Sequence, residues 1–551
     1  MSDKNIFYAL AILLFCFGCN KKQTTTPPYV APPNDQHISV LTQHTNNSRS
    51  GFNSNETKLT TATVNTAQFG RLFSLPVDDQ VYAQPLVVGN LNISNGNHNV
   101  VYIATVSNSV YAYDADNGTL YWQKNFTVQG MRAPRANDMT GACGGFYQDF
   151  SGSIGIVGTP VIDSVSKTMY LVARSTNGSN SFNQFLHAIN IVTGAEISGS
   201  PVPITAKYTG NGDGSINNTI NFDAQKQNQR QALTLVNGKL FISFSSHCDW
   251  GPYHGWILGY NATTLQQEIV YNDTPDGIDG GIWESGMGLA ADDQGYLYAV
   301  TGNGTVGVGN DQTNPRNRGE SALKLSVNGG TLKVETYFTP FNFQILEQQD
   351  LDYGVMGTFL IPNSNYYFTG CKDGNLYLLN KDNMGGYQVG SNQVQQTIPL
   401  SANANLHCQP AYYKGAGKEF VYVWSENDPL RAFPFNRGSN TFDINNQLLY
   451  SGNGPQGQSG AMLTVSSNGD TPGTGIVWAA YAKTGDAEHA VSPGVLRAFD
   501  ATDVSKLLWS NDEKPAQDGA GTYAKFSSPV IANGHVYLAT FSNSVAVYGI
   551  K

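Results

Sequence analysis

Short runs of alternating apolar residues, separated by turn residues, recur along most of the chain. Residues 101–122, VYIATVSNSVYAYDADNGTLYW, show the pattern. Three stretches rich in β-branched and aromatic residues are separated first by Ser-Asn and then by Asp-Ala-Asp-Asn-Gly. This alternation predicts three antiparallel strands joined by tight turns. One such meander cannot bury both of its own faces, so its repetition must supply the core.

Eight such units follow one another along the sequence. Their middle strands are predicted at 110–114, 185–190, 256–261, 322–326, 376–380, 430–433, 496–500 and 545–548. The eighth unit stops at Lys551 without an outer strand, and residues 68–77, QFGRLFSLPV, form a spare strand before the first full unit. We therefore predict an all-β fold over residues 60–551. It is an eight-bladed β-propeller of four-stranded antiparallel blades, with a ring closed by the N-terminal strand; seven blades is the alternative.

The first residues indicate a targeting segment that does not belong to the fold. Residues 6–17 are apolar but too few to span a bilayer, and they run into Cys16-Phe17-Gly18-Cys19. Residues 1–19 therefore resemble a bacterial lipoprotein signal with Cys19 as the lipidated residue; an ordinary secretory signal cut nearby is the alternative. Residues 20–59, rich in Thr, Pro and Asn, are expected to be a flexible tether. We expect an exported protein, lipid-anchored at the periplasmic face or the cell surface.

Composition excludes some classes of function. The net charge of −10 argues against nucleic acid as a partner, because phosphate binding needs a basic face. Four cysteines lie beyond Cys19, and in an oxidising compartment an even number predicts two disulfides. Of the three pairings we favour Cys143–Cys248 and Cys371–Cys408. No Cys-x-x-Cys-His sequence occurs, so covalent c-type haem is not expected.

Polar side chains stand at comparable places in four successive stretches. They are Asp249, Asn303, Asp350 with Asp352, and Lys372. Carboxylate and amide oxygens suit a hard cation such as Ca²⁺, an Asp can take a proton from a substrate hydroxyl, and a Lys can pair with an anionic cofactor. Trp283, in GGIWESG, could provide an aromatic floor.

The simpler interpretation of each residue alone is structural. Asp and Asn after a strand usually cap turns, and a single Trp usually packs a blade. Only the spacing of all these residues taken together favours a functional site over separate structural roles. A transition-metal site in SSHCDWGPYHGW, with His247, Cys248, Asp249 and His254, matches no strong zinc pattern.

These segments resemble the PQQ-like (quinoprotein alcohol dehydrogenase-like) propeller family, over essentially all of residues 60–551. SHCD and the strand after it are similar to the segment that supplies a calcium-binding carboxylate, here Asp249. GGIWESG and TGN look like the segments with the tryptophan under the quinone, Trp283, and the calcium-binding Asn303. QDLDYG resembles the element whose first Asp, here Asp350, is the proposed base and a metal neighbour. CKDGN looks like the strand whose Lys or Arg contacts the quinone, which would be Lys372 here.

The resemblance implies an exported dehydrogenase that binds PQQ and calcium and oxidises an alcohol or sugar hydroxyl. The chain departs from the family pattern at four places: Asp249 replaces a usual Glu, Gln349 replaces a His, QDLDYG lacks the family's Trp, and the adjacent cysteine pair is missing. The alternative is therefore a non-catalytic envelope lipoprotein whose propeller binds a protein or glycan. A carbohydrate-active lyase or hydrolase on the same scaffold is a third option that no residue selects.

Overall fold

Eight small antiparallel sheets, numbered here as blades 1 to 8 in chain order, make up the fold. The computed structural model describes residues 36–178, 181–401 and 403–551. Blade 1 consists of Leu86–Ile93, Gly96–Ala104, Ser109–Asp114 and Leu120–Asn125, and blade 2 of Val161–Asp163, Thr168–Thr176, Phe182–Asn190 and Val202–Pro203. Blade 3 consists of Gln227–Asn228, Thr234–Val236, Lys239–Ser246, Trp256–Asn261 and Gln267–Asn272. Blade 4 consists of Ala290–Ala291, Leu297–Val300, Ala322–Asn328 and Thr331–Phe338. A separate hairpin, Lys207–Thr209 with Thr219–Asn221, lies between blades 2 and 3.

Blades 5 to 8 complete the ring and confirm the predicted eight-bladed propeller. Their strands are Phe359–Leu360, Tyr366–Gly370, Asn375–Asn380, Gln396–Pro399; Ala411–Gly415, Lys418–Val423, Leu430–Asn436, Thr441–Phe442, Leu448–Tyr450; Phe52–Asn53, Met462–Ser466, Ile476–Ala482, Gly494–Asp500, Leu507–Ser510; and Phe69–Pro76, Val530–Ala532, His535–Ala539, Ser544–Ile550. Blades 3, 6 and 7 have a fifth short strand beyond the predicted four.

Helices are few and short. They are the 3-10 turns Ala136–Asp138, Ala142–Gly145, Glu284–Gly286, Ile444–Asn446 and Asn511–Glu513, and the α-helices Phe343–Gln348 and Pro515–Asp518. Within the described ranges, no helix has the length and apolar character needed to cross a membrane.

Both faces of each blade are buried, which explains the nearly continuous apolar character of the middle strands. In blade 1 every residue of Ser109–Asp114 is buried. Val110 and Ala112 pack toward blade 2, whereas Tyr111 and Tyr113 pack toward blade 8. Because successive side chains of a strand point to opposite faces, one strand contributes to two neighbouring cores.

Blade 8 combines strands from the two ends of the described chain. Phe69–Pro76 pairs antiparallel with Ser544–Ile550, with Phe69 opposite Ile550 and Pro76 opposite Ser544. The spare strand that the sequence predicts over residues 68–77 is therefore the fourth strand of this blade.

Residues 40–53, here called the hub segment, contact an inner strand of every blade. Backbone hydrogen bonds join Val40 to Val87, Leu41 to Ile162, Asn47 to Ala291, Ser48 to Leu360, Ser50 to Tyr412 and Gly51 to Val465. The side chain of Asn53 donates to Ile531 O, and the side chain of Arg49 donates to Thr234 Oγ1. One short segment therefore satisfies polar groups on the inner strands of all eight blades.

The prediction of a flexible tether over residues 20–59 was wrong for its described part. Val40, His44, Arg49 and Glu56 are buried. The polar composition that is typical of disorder has a different role here, because the inner strand edges present unpaired N–H and C=O groups that need polar partners. Residues 1–35, which include the predicted signal and Cys19, lie outside the described residues.

Arg49 is the most extensively bonded side chain of the hub segment. It is fully buried, and its guanidinium donates to Thr42 Oγ1 at 2.8 Å, Gln43 O at 2.9 Å and Thr234 Oγ1 at 2.7 Å. Longer bonds reach Leu289 O at 3.3 Å and Leu233 O at 3.2 Å. All five guanidinium N–H donors are used, so the planar shape of arginine is required here.

Replacing this arginine with lysine tests the importance of the hub segment. Arg49→Lys keeps the charge but offers fewer donors in another geometry, so several buried acceptors lose their partners. We expect the free energy of unfolding to fall by about 2–4 kcal/mol, measured by denaturant titration.

The matched control is Arg135→Lys at an exposed position, for which we expect a change below about 0.5 kcal/mol. Equal stability of the Arg49→Lys variant and the unchanged chain would contradict this account of the hub segment.

Candidate functional site

A cavity of about 340 Å³ lies where loops from several blades meet. Its walls include Asp249, Trp283, Asp350 and Lys372, four of the residues that the sequence analysis singled out. Each of them either follows the second strand of a blade or precedes the first strand of the next one. In a blade of up-and-down antiparallel strands these two kinds of loop lie at the same end, which brings residues distant in sequence together.

Asn303 joins this group through hydrogen bonds with its neighbours. Its Nδ2 donates to Asp350 Oδ1 at 2.8 Å, and its backbone N–H donates to Asp352 Oδ1 at 2.8 Å. Lys372 Nζ lies 2.5 Å from Asp352 Oδ2 and 3.4 Å from Asp350 Oδ1. All five predicted positions, Asp249, Trp283, Asn303, Asp350 and Lys372, therefore converge on one site.

The two carboxylates of QDLDYG have different environments. The side chain of Asp352 is 7% exposed, and both of its oxygens are engaged, so it fixes the positions of Asn303 and Lys372. The side chain of Asp350 is 68% exposed and is free to meet a ligand. Gly302 is required beside Asp352 and Trp283, since a Cβ at this position would lie 2.7 Å from Asp352 Oδ1 and 2.8 Å from Trp283 Cδ1.

Charge coupling keeps Lys372 protonated. Burial opposes its charge and lowers its pKa, but the carboxylates of Asp352 and Asp350 outweigh burial and raise the pKa above its ordinary value. Lys372 is therefore a protonated lysine beside two carboxylates, and it does not act as a base near neutral pH.

Asp249 faces the cavity from blade 3 beside a disulfide. Tyr253 donates its hydroxyl proton to Asp249 Oδ1 at 2.7 Å, and the preceding residue, Cys248, is bonded to Cys143. Burial, followed by the charges of Asp352 and Asp350, raises the pKa of Asp249 to about 6. A cation bound here would lower that pKa again by favouring the carboxylate.

The oxygen atoms of the site are of the kind that coordinates a hard cation, and some of them have no other partner. Asn303 Oδ1 is buried and lacks a hydrogen-bond partner in the described part of the chain, so an amide oxygen is available. Asp249 and Asp350 add carboxylate oxygens, and oxygen ligands of this kind suit Ca²⁺. Within the described ranges, the carboxylates of Asp249 and Asp350 do not belong to a cluster of three acidic, His or Cys side chains. Among the described residues, one such cluster has its ligand atoms within 4.8 Å of one another, and it consists of Asp149, Glu488 and His489.

Trp283 forms part of the cavity wall through a strained turn. Glu284, Ser285 and Gly286, the residues after it, all have positive φ angles, of 47°, 45° and 77°. The indole Nε1 of Trp283 has no hydrogen-bond partner within the described ranges, and Tyr253 meets the ring edge-on at 6.4 Å. An aromatic wall with an available N–H donor fits a planar ligand that bears oxygen atoms.

Several side chains that line the same cavity were missed by sequence reasoning. They are Arg230, Lys525, Asp149, Glu488, His489 and His407. His407 Nδ1 lies 2.8 Å from Glu426 Oε1, and both residues are buried. No motif surrounds these residues; the signal available was a charged residue next to a strongly apolar first strand, as in QNQRQALTLV and TYAKFSSPVIA.

The disulfide prediction was right for one pair and wrong for the other. Cys143 and Cys248 are bonded, with an S–S distance of 2.01 Å and a Cα–Cα distance of 5.4 Å. Cys371 and Cys408 are free and buried. Cys371 packs in the core between blades 4 and 5, and Cys408 packs in the core between blades 5 and 6, so the sheet of blade 5 separates them.

Three of the four ring nitrogens of His247 and His254 have hydrogen-bond partners, and His247 Nε2 has none among the described residues. His247 Nδ1 pairs with the Tyr147 hydroxyl at 2.7 Å, and His254 contacts Thr274 Oγ1 and Asp213 O, each at 2.9 Å. With Cys248 in a disulfide, no thiolate is available.

The fold and the cavity together define an eight-bladed propeller with a charged site at the mouth of its central channel. Similar solved structures are a quinohemoprotein alcohol dehydrogenase from Pseudomonas putida HK5 (14% identity, TM-score 0.56) and one from Comamonas testosteroni (13%, TM-score 0.52). In both cases 93% of this chain and 80% of the other are covered. A europium-containing methanol dehydrogenase is 11% identical with a TM-score of 0.57, covering 93% of this chain and 98% of that one.

These likenesses show that the chain has the fold of the quinoprotein alcohol and methanol dehydrogenases. No protein-family profile matches the chain, and no curated sequence matches it. At these identities the likeness concerns the fold alone.

Glu284, next to Trp283, offers a test of the electrostatics beneath the cavity. It is fully buried, its Oε1 accepts from Val300 N at 3.2 Å, and burial raises its pKa to about 8. Between pH 4.5 and about 8 the folded chain holds a proton that the unfolded chain has released, so stability falls as the pH rises through this window. Glu284→Gln cannot titrate, so its stability does not fall in this way as the pH rises. Its free energy of unfolding relative to the unchanged chain should therefore grow by up to about 1 kcal/mol per pH unit within this window.

Denaturant titrations at pH 5, 6, 7 and 8 measure this difference, and Glu513→Gln at an exposed position is the matched control. A stability difference for Glu284→Gln that stays constant with pH would contradict the assignment of a protonated Glu284.

Proposed function

We propose that this chain is a PQQ- and metal-dependent dehydrogenase that oxidises an alcohol or sugar hydroxyl. One observation carries the proposal: Asp249, Trp283, Asn303, Asp350 and Lys372, scattered over more than a hundred residues, converge on one cavity. Turn-capping residues with purely local roles have no reason to meet in this way. The fold shared with quinoprotein alcohol dehydrogenases supports the same conclusion.

Asp350 is the residue proposed to receive the substrate proton. Asn303 Nδ2 and Lys372 Nζ both approach its Oδ1 and leave Oδ2 open to the cavity. An oriented, accessible carboxylate beside a cation can take the proton of a bound hydroxyl as the C–H bond breaks. Lys372, held by Asp352, also places positive charge where negative charge develops on the oxygens of a bound acceptor.

The site residues fit the two groups that the proposal requires. Asp249 Oδ2, Asn303 Oδ1 and the carboxylate group of Asp350 would hold a hard cation, calcium in the first place or a lanthanide as in the europium-containing neighbour. Trp283 and Lys372 are the residues that would contact PQQ. When bound, PQQ supplies a two-electron acceptor that amino-acid side chains lack.

The wider setting is proposed from the sequence. We propose export and lipid anchoring at Cys19 in the cell envelope, supported by the lipoprotein-like segment before it. Electrons would leave to a separate carrier, since the sequence has no Cys-x-x-Cys-His site for covalent haem.

Calorimetric titration of PQQ into the purified full chain, with and without Ca²⁺ or Eu³⁺, tests this proposal. We expect saturable binding that requires the metal. Asn303→Ala removes an amide oxygen and Lys372→Ala removes a charged contact, so each should weaken PQQ binding by about 10-fold or more. Asn445→Ala and Lys414→Ala, both at exposed positions that do not line the cavity, are the matched controls.

Turnover is then measured with primary alcohols and sugars and an artificial electron acceptor. Asp350→Asn keeps an oxygen for Asn303 and Lys372 but cannot take a proton, so it should retain PQQ and lose about 10²-fold or more in kcat. Absence of PQQ binding at high micromolar concentration would overturn the dehydrogenase proposal and favour a binding scaffold at the cell envelope.

A further inference from the structure

His407, in the wall of the cavity, is paired with Glu426, and the proposed reaction uses neither residue. His407 is 5% exposed and Glu426 is 6% exposed, and His407 Nδ1 lies 2.8 Å from Glu426 Oε1. A carboxylate accepts hydrogen bonds and does not donate them, so Nδ1 carries the hydrogen of this bond. In the neutral imidazole the other ring nitrogen, Nε2, is then an acceptor, and the carboxylate fixes the orientation of the ring.

The pair repeats, one blade later, the placement of Asp352 and Lys372. Asp352 precedes the first strand of blade 5, and Lys372 follows the second strand of that blade. His407 likewise precedes the first strand of blade 6, and Glu426 follows its second strand. The acid and the base have exchanged places, but both pairs join the same two kinds of loop at the same end of a blade. His407 and Lys372 consequently line the same cavity.

One ring nitrogen of His407 is left for the cavity, unlike the nitrogens of histidines that only support the fold. His44 has partners at both nitrogens, at 2.7 and 2.9 Å, and His254 has partners at both, each at 2.9 Å. His247 lacks a partner at Nε2 within the described ranges, but this nitrogen is enclosed and His247 does not line the cavity. His407 Nε2 also makes no hydrogen bond to the described residues, yet it is not enclosed and its ring lines the cavity.

A hydroxyl group is the ligand that suits this nitrogen. An acceptor needs a donor, which a hydroxyl supplies, whereas a carboxylate or a carbonyl oxygen only accepts. A metal ion would need further ligands, and among the described residues His407 and Glu426 belong to no cluster of three His, Cys, Asp or Glu side chains. The buried charge of Glu426 also disfavours an anion beside the ring.

We propose that His407 accepts a hydrogen bond from a second hydroxyl of the substrate, so that the site takes polyols in preference to alcohols with one hydroxyl. The inference rests on the proposed function, in which Asp350 receives the proton of the reacting hydroxyl. A substrate with one hydroxyl displaces water from Nε2 and leaves it without a partner, and an unmade hydrogen bond in a nearly buried site is costly. Sites that bind a substrate hydroxyl discriminate against the analogue that lacks it. His407 is thus a specificity-determining residue, and Glu426 is a positioning residue.

Sorbitol and 1-hexanol test the inference, because they share a chain length and differ in the number of hydroxyls. With the full chain loaded with PQQ and calcium, kcat/KM for sorbitol should exceed that for 1-hexanol by about 10-fold or more. His407→Phe keeps a ring and removes the acceptor, so KM for sorbitol should rise by about 10- to 100-fold, while the values for 1-hexanol stay within about twofold. His407→Gln, which retains an oxygen acceptor, should recover part of the loss.

Calorimetric titration of sorbitol, with and without PQQ, gives a readout that does not depend on turnover. The affinity for sorbitol should fall in His407→Phe by the same factor as KM rises. His37→Phe, at an exposed position outside the cavity wall, is the matched control and should bind sorbitol as the unchanged chain does.

The melting temperature separates loss of binding from loss of folding. His407→Phe leaves the carboxylate of Glu426 buried without its partner, which lowers the melting temperature. The double variant His407→Phe with Glu426→Gln removes that charge, so it should melt closer to the unchanged chain and still show the full loss for sorbitol. Glu426→Gln alone should raise KM for sorbitol and leave kcat and the values for 1-hexanol unchanged, a split that a merely structural role would not produce.

The possible failures differ from one another. If sorbitol is oxidised equally well by His407→Phe, the inference fails and the proposed function stands. If His407→Phe lowers kcat for both alcohols alike with PQQ still bound, His407 acts on the reacting hydroxyl and the specificity assignment is wrong. If PQQ does not bind but sorbitol binding depends on His407, the dehydrogenase proposal fails and the hydroxyl-binding position stands. If neither PQQ nor sorbitol binds, both fail together.

Discussion

The structure depends on hydrogen-bond partners for the inner strand edges of eight blades arranged around one axis. A propeller packs blade against blade through apolar faces, but the first strand of each blade turns an unpaired polar edge toward the channel. The hub segment, residues 40–53, meets this requirement with a contact to an inner strand of each of the eight blades. Arg49 is its centre, with all five donors engaged in a fully buried position.

The hub segment is also linked to the functional site by hydrogen bonds through Gln409. Gln43 of the hub segment donates to Gln409 Oε1 at 3.3 Å. Gln409 Nε2 in turn donates to Ser285 O at 2.6 Å and Phe526 O at 3.0 Å. These carbonyls belong to the turns that present Trp283, Lys525 and the ring against Arg230. The cavity wall is thus held from below by the segment that joins the blades, which suits a site that must keep its geometry when a ligand enters.

The sequence predicted the features that arise from local pattern. Middle strands such as Ser109–Asp114 were recognisable because both blade faces are buried and turn residues bound the strands. Asp249, Asn303 and Lys372 were recognisable because each follows a second strand, and in a propeller those positions meet. The hub segment was missed because its polar residues have partners far away in the chain, and composition alone does not distinguish paired polar groups from solvated ones. Arg230 and the separation of Cys371 from Cys408 depend in the same way on which blades become neighbours.

The most direct test of the account is the position of the metal in crystals of the full chain grown with PQQ and europium. Anomalous scattering locates the ion without reference to activity. The account predicts a single peak within about 2.3–2.6 Å of Asn303 Oδ1 and of carboxylate oxygens of Asp249 and Asp350. A peak at Asp149, Glu488 and His489, where the ligand atoms already lie within 4.8 Å of one another, or no peak in the cavity, would contradict it.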